Sequence, residues 1–321
     1  MFMNVLYIII GVALVLWGAD RLTDGASALA RRMSIPEIII GLTIVAAGTS
    51  APELFVSVAS ALKGAPDLAV GNVVGSNIMN TLLIVGVTAM VAPMAIAPST
   101  VSKDIPFTVG ASLLLIVLAL DTFATLTIAG NSISRLDGVI LLAAFALFMV
   151  YTLRMARKGG VESTTGQAAT KAANPWLSAL WIAVGLACLI FGSNLFVDAA
   201  SVVARQLSVS DSVIGLTIVA GGTSLPELAT SVVAARKGRS AMAIGNVIGS
   251  TVFNLLAILG LTAVVCPMQI GGITLVDLST MLLSMLVVLL FCYTKLTVAR
   301  WEGALLTLAY VAYTAWLLSQ L

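Results

Sequence analysis

Apolar residues run along this chain in long unbroken blocks. A half-buried strand would alternate instead, and a soluble surface helix would show an apolar stripe every three or four residues. Ten blocks stand out, at about 3–19, 36–62, 68–93, 105–128, 137–155, 177–203, 212–235, 241–266, 273–294 and 301–319. Each approaches or exceeds the roughly 20 residues that cross a bilayer as a helix. No water is available inside a bilayer to satisfy backbone amides and carbonyls, so spanning segments are helices or closed barrels, and continuous blocks select helices. The expected fold is an all-α integral membrane protein with about ten transmembrane helices. Composition agrees, since 60% hydrophobic and 9% charged residues leave too few charges to cover a water-facing surface. The first block is read as a helix and not as a secretory signal, because Arg21, Arg31 and Arg32 follow it instead of preceding it.

The net charge of +2 points to no nucleic acid, because the placement of the basic residues has a topological explanation. The segments after blocks 1, 3, 5, 7 and 9 carry Arg21, Arg31, Arg32, Lys103, Arg154, Arg157, Lys158, Lys171, Arg236, Lys237, Arg239, Lys295 and Arg300. The opposite side keeps Lys63, Arg135 and Arg205. By the positive-inside bias, residues 156–174 face the cytoplasm and both termini lie outside, in a multi-pass protein of the inner (plasma) membrane. The segment 156–174 is rich in Gly, Ser, Thr and Ala without an apolar period and reads as a linker between an N-terminal half, 1–155, and a C-terminal half, 175–321.

The halves are related. A shift of 174 residues lays GLTIVAAGTSAPEL (Gly41 to Leu54) on GLTIVAGGTSLPEL (Gly215 to Leu228), and GNVVGSNIMN (Gly71 to Asn80) on GNVIGSTVFN (Gly245 to Asn254). From Gly41 to Gly86 the register holds without a gap, with 27 of 46 positions identical. Each repeat carries five blocks, and an odd number makes the second copy enter the membrane from the opposite face. Two inverted five-helix repeats are an architecture of secondary transporters, which bind their substrate between the copies.

Most of the 14 Asp and Glu lie at block ends, but Glu53 and Glu227 sit inside apolar blocks at equivalent repeat positions. A charged side chain at mid-helix in a membrane costs about 2.5–3.5 kcal/mol, so a symmetric pair points to function. Pro52 and Pro226 precede them and free the carbonyls of Gly48 and Gly222, which breaks each helix beside the acid. Thr49, Ser50, Thr223 and Ser224 place hydroxyls at the breaks. In the next block, Asn72, Ser76 and Asn80, and their copies Asn246, Ser250 and Asn254, recur every fourth residue on one helix face. The glycines of the same segments fit a small-xxx-small packing pattern. Such an all-oxygen site in a chain with no histidine suits Ca²⁺ or Na⁺ and disfavours zinc or copper. Cys188, Cys266 and Cys292 lie in apolar blocks away from these acids and are assigned no role.

GTSAPE with GNVVGSNIMN, repeated as GTSLPE with GNVIGSTVFN, resembles the paired repeats of the calcium/cation antiporter superfamily, most closely the prokaryotic sodium/calcium exchangers. The resemblance implies a Ca²⁺ site of Glu53, Glu227, Thr49 and Thr223. It implies flanking Na⁺ sites that use Ser50, Ser224, Ser76, Ser250, the carbonyls of Ala46 and Ala220, and Asn80 at the centre. Some members have aspartate where this chain has Asn254, and two neutral amides at Asn80 and Asn254 argue against potassium-linked transport. The animal exchangers carry large regulatory domains in the central loop, for which 156–174 has no room. The expected activity is Na⁺/Ca²⁺ antiport by alternating access, with helices 1 and 6 covering a site on helices 2, 3, 7 and 8. The partners are then Ca²⁺, Na⁺ and the bilayer, with no cofactor and no protein partner. The alternatives are an H⁺/Ca²⁺ antiporter, a channel, and an intramembrane hydrolase. The last lacks a histidine, a mid-membrane aspartate pair, or a cysteine near the acids.

Overall fold

The computed structural model describes residues 2–119, 132–159, 174–208, 218 and 220–320. The C-terminal end of the expected 105–128 helix, most of the 156–174 linker and the first part of the 212–235 helix, including most of the GLTIVA copy from Gly215, lie outside these residues. Twelve helical segments are described: α1 (Phe2–Met33), α2 (Glu37–Thr49), α3 (Ala51–Leu62), α4 (Pro66–Val91), α5 (Thr100–Ala119), α6 (Arg135–Gly159), α7 (Pro175–Gln206), α8 (Ala220–Thr223), α9 (Leu225–Arg236), α10 (Ser240–Val265), α11 (Leu275–Lys295) and α12 (Arg300–Ser319). Seven of them are long and apolar enough to cross a membrane, and α2 with α3 forms an eighth candidate across a 45° bend. The protein is an all-α, multi-pass membrane protein.

Local backbone chemistry sets the starts and turns of the helices. Pro66 and Pro175 sit in the first turns of α4 and α7, where a missing N–H costs no helical bond. After α3 and α9 the chain turns at Gly64 (φ 76°) and Gly238 (φ 74°), 174 residues apart, in a left-handed conformation that only glycine adopts without strain. Two short antiparallel pairs cross between the halves. They are β1 (Met94–Ala95) with β4 (Thr297–Val298), and β2 (Ser132–Ile133) with β3 (Met268–Gln269). Each pair takes the strand that follows the repeat's central helix and joins it to the strand that precedes the last helix of the other repeat. Asp67 pins the loop after β3, accepting from the amides of Gly271 (2.8 Å) and Gly272 (2.9 Å).

Burial sorts the helices by role. In their most apolar stretches α4 and α10 are 78% and 83% buried within the protein, against 22% and 28% for α1 and α7. The first pair is therefore the core and the second faces lipid. Glycine governs how closely the helices approach. Between antiparallel α1 and α7, a Cβ on Gly11 would lie 2.8 Å from the Gly192 carbonyl oxygen, one on Gly18 2.7 Å from that of Gly185, and one on Gly25 2.8 Å from that of Ser178. Symmetric close approaches join α4 to α12 at Gly86 and Gly303, and α6 to α10 at Gly138 and Gly260. Lipid offers no hydrophobic drive between helices, so this backbone contact is a main source of their cohesion.

Two expectations are corrected. The first helix does not stop near residue 19 but continues to Met33, so Arg21, Arg31 and Arg32 are helical and not loop residues. Asp20 and Asp24, acids near the end of the first apolar block that read as unpaired in the sequence, are ion-paired. Lys237 Nζ lies 2.6 Å from Asp20 and 2.9 Å from Asp24, and Arg239 lies 2.9 Å from Asp24. This cluster fastens α1 to the α9–α10 connection. Its counterpart under the 174-residue shift, Asp198 with Lys63, forms no ion pair among the described residues.

Candidate functional site

Both broken helices interrupt at serine. Ser50 (φ −83°, ψ 7°) separates α2 from α3, and Ser224 (φ −92°, ψ 7°) separates α8 from α9. Each proline sits in the first turn of the following segment, and each glutamate follows it, fully buried. The two breaks face each other, and their hydrogen bonds cross. Ser50 Oγ donates to Glu227 Oε1 (2.8 Å), and Ser224 Oγ donates to Glu53 Oε1 (3.0 Å). Each repeat thus supplies the hydroxyl for the other repeat's acid, which places the two carboxylates in one cluster on the pseudo-twofold axis.

The core helices complete the cluster. Ser76 of α4 lies 2.9 Å from Ser224 Oγ and 3.5 Å from Glu53 Oε1. Asn254 of α10 donates to Ser76 Oγ (3.1 Å) and to Asn77 Oδ1 (3.3 Å). Asn80 and Asn254 fall in widened turns with π-type hydrogen bonding, Met79–Ile84 and Phe253–Ile258, a distortion that often marks functional positions. Glu53 Oε2, Glu227 Oε2, Asn254 Oδ1 and both amide atoms of Asn80 are buried without a hydrogen-bond partner among the described residues. Buried polar atoms are normally paired, so the unpartnered acceptor oxygens Glu53 Oε2, Glu227 Oε2 and Asn254 Oδ1 are available to a cation.

The remaining predicted residues are distributed around it. Thr49 is fully buried, its one hydroxyl proton within reach of three acceptors, Asn246 Oδ1 (3.2 Å) and the Val45 and Ala46 carbonyls (3.1 and 3.3 Å). Thr223 is only partly buried, unlike its copy. Ser250 is fully buried on α10, and Ala220 opens α8. Asn72 and Asn246, placed by spacing on the same stripe, serve instead as braces. Each donates to the backbone carbonyl of its repeat's glutamate (both 3.3 Å) and to a serine one turn on, Ser57 (3.1 Å) or Ser231 (3.0 Å).

Two residues that hydrogen-bond at or beside the cluster were not singled out from the sequence. Asn77 has no amide at the equivalent position, Thr251, so repeat comparison passed over it. Ser193 of α7 donates a short hydrogen bond to the Gly222 carbonyl, the group freed by Pro226. That carbonyl is bound by the lipid-facing helix. The shifted position, 19, is alanine, so Gly48 has no such partner from α1. The bond ties α7 to the Gly222 break, whereas at Gly48 the contact with α7 is the apolar one of Leu186. A hydrogen bond of this kind contributes about 1 kcal/mol net, or roughly a fivefold bias. Ser193→Ala is expected to change the exchange rate by about that factor while Ca²⁺ affinity stays the same, as read by transport and equilibrium binding on one preparation.

Inverted repeats, paired broken helices and a buried cluster of acids, hydroxyls and amides define a secondary antiporter for cations. The chain belongs to the sodium/calcium exchanger family: the family described as "Sodium/calcium exchanger protein" matches residues 3–154 and 177–319. It is 39% identical over 321 residues to a putative antiporter, CaxA, of Alkalimonas amylolytica, covering 98% of each chain. It is 31% identical to the sodium/calcium exchanger MaX1 of Methanosarcina acetivorans, covering 97% of each. Among solved structures it is similar to the sodium-calcium exchanger NCX_Mj, with a TM-score of 0.83 at 29% identity over 98% of both chains. The chain is therefore a cation/Ca²⁺ antiporter, as its repeats and oxygen cluster indicate.

Proposed function

We propose that this protein exchanges Na⁺ for Ca²⁺ across the inner membrane by alternating access, with the Ca²⁺ held between Glu53 and Glu227 with Thr49 and Thr223. The observation that carries the reading is the crossed pair Ser50–Glu227 and Ser224–Glu53, which builds one site from both repeats. Two carboxylates neutralise one Ca²⁺, a flexible cation that accepts many oxygens. Ser50, Ser224, Ser76, Ser250, Asn80 and the Ala46 and Ala220 carbonyls supply neutral oxygens for Na⁺, and Asn254 supports them through Ser76 and Asn77. These oxygens suit Na⁺ and are superfluous for proton coupling. Exchange follows because the two cations compete for the same carboxylates.

The halves 1–155 and 175–321 act as the two repeats, and the linker 156–174 faces the cytoplasm with both termini outside. The glycine-packed pair α1–α7 moves as the gate over the fixed core of α4 and α10. The clamp of Asp20 and Asp24 by Lys237 and Arg239 fastens α1 to the connection between α9 and α10 and supports a state closed on that face. Its release belongs to the transition. An empty site would carry two bare carboxylates through a dry passage, which opposes uncoupled leak.

The test is uptake of radiolabelled Ca²⁺ into proteoliposomes loaded with Na⁺, with an outward H⁺ gradient and no gradient as controls. Uptake is expected with the Na⁺ gradient alone. Uptake with the H⁺ gradient alone keeps the site and overturns Na⁺ as the coupling ion.

A further inference from the structure

Where α1 ends and α7 begins, a cavity of about 310 Å³ lies between these helices and the residue before α10. Arg21, Arg31 and Arg239 line it, together with the apolar walls of Leu177 and Trp181. Arg21 is held as a plate, its guanidinium 5.6 Å from the ring centre of Trp17 and 5.1 Å from that of Trp181. Asp24 also lines the cavity, but its carboxylate is already shared by Lys237 and Arg239, both at 2.9 Å. Arg31 reaches its acid, Glu37, only at 3.9 Å, and Arg21 reaches Asp20 at 3.5 Å. Four cations (Arg21, Arg31, Lys237, Arg239) thus meet three acids (Asp20, Asp24, Glu37). Arg21 Nε and Arg239 Nη1 are buried with no hydrogen-bond partner among the described residues.

Each of these features favours an anion with several acceptor oxygens. The first turn of the 32-residue α7, with Asn174, Leu177 and Ser178, forms the rim, so the positive end of its dipole faces the same space. A planar guanidinium is the donor best matched to a phosphate group. The apolar walls decide the source of that phosphate. Leu177, Trp176 and Leu180 are exposed on α7, and Trp17 is exposed on α1, so the cavity adjoins apolar surface of two helices that face lipid. We propose that this cavity binds the phosphate of an anionic membrane lipid, whose acyl chains lie along the exposed flank of α1 and α7. The lipid bridges the gate pair to Arg239 at the head of the core helix. This assignment stands whichever ion drives exchange.

Native mass spectrometry of delipidated full-length protein tests it, with phosphatidylglycerol, phosphatidylcholine and inorganic phosphate as separate probes. Phosphatidylglycerol is expected to be retained in preference to phosphatidylcholine. The pair Arg21→Gln with Arg31→Gln is expected to lose about tenfold or more of that preference, since each basic residue near a membrane surface contributes appreciably to anionic lipid attraction. Arg135→Gln, at the start of α6 and outside the cavity lining, is expected to change nothing. If the double variant is not monodisperse, Arg31→Gln alone carries the test, because Arg31 is half exposed and its ion pair is long. Equal retention of the two lipids, or unchanged preference in the variants, overturns the proposal. Displacement of phosphatidylglycerol by millimolar inorganic phosphate overturns the lipid as the source and leaves a free-anion site.

Discussion

Glu53→Gln is expected to abolish the proposed Na⁺-driven Ca²⁺ uptake, and Glu227→Gln is expected to do the same. Each change keeps the side chain's shape and its capacity to accept the crossing serine hydroxyl, but removes one of the two charges that neutralise Ca²⁺. Removing even a group that only supports a ligand lowers metal affinity 10–100-fold, so loss of a ligating charge is expected to lower Ca²⁺ affinity by more than about 100-fold. Isothermal titration with Ca²⁺ and vesicle uptake check it together. The structure adds that the two variants should behave nearly alike, because each acid sits at the same place relative to the axis and each takes a hydroxyl from the other repeat. Retained Na⁺-driven uptake in the double variant would sink the site assignment.

Gly18→Val is expected to stop exchange by a different route. Its Cβ would lie 2.7 Å from the Gly185 carbonyl oxygen and 3.0 Å from Leu189 N, which are backbone atoms that no rotamer change moves aside. Overpacking of this kind costs about 1–3 kcal/mol and forces α1 and α7 apart. The reciprocal change, Gly185→Val, meets the Leu22 amide at 2.7 Å and should match it. Gly110→Ala is the control, since nothing lies within 4 Å of the added carbon. If α1 and α7 form the moving gate, the valine variants lose transport while still binding Ca²⁺, because no residue of the acid cluster lies on these helices. Loss of Ca²⁺ binding together with transport would show that the pair holds the site itself, and would remove it as a separate gate.

The crossed serines show where reading the chain reaches its limit. Apolar block length specified membrane helices, because lipid leaves backbone groups no other partner. The 174-residue repeat specified the duplication, and the odd number of blocks specified its inversion. The prolines before Glu53 and Glu227 specified both breaks, because a missing N–H acts on its own helix. Those constraints are local or periodic, and a linear sequence carries them intact. The helix that runs on through Arg21, Arg31 and Arg32 was not legible, because charge near a block end reads as a loop until tertiary partners such as Lys237 and the Trp17–Trp181 pair are seen to hold it.

Which oxygen meets which acid was decided in three dimensions. The repeats interleave, so Ser50 serves Glu227, 177 positions away, and not Glu53 three residues on. Repeat symmetry predicted equal halves, whereas Asn77 and Ser193 have no chemical equal at Thr251 and Ala19 and set one side apart from the other. The sequence by itself determined the lipid environment, the duplication, the two acids and the breaks that present them. Only the tertiary structure decided the exchange of hydroxyls between repeats, the hydrogen bond of α7 to the Gly222 break and the clamp on α1, because each depends on contacts between segments far apart in the chain.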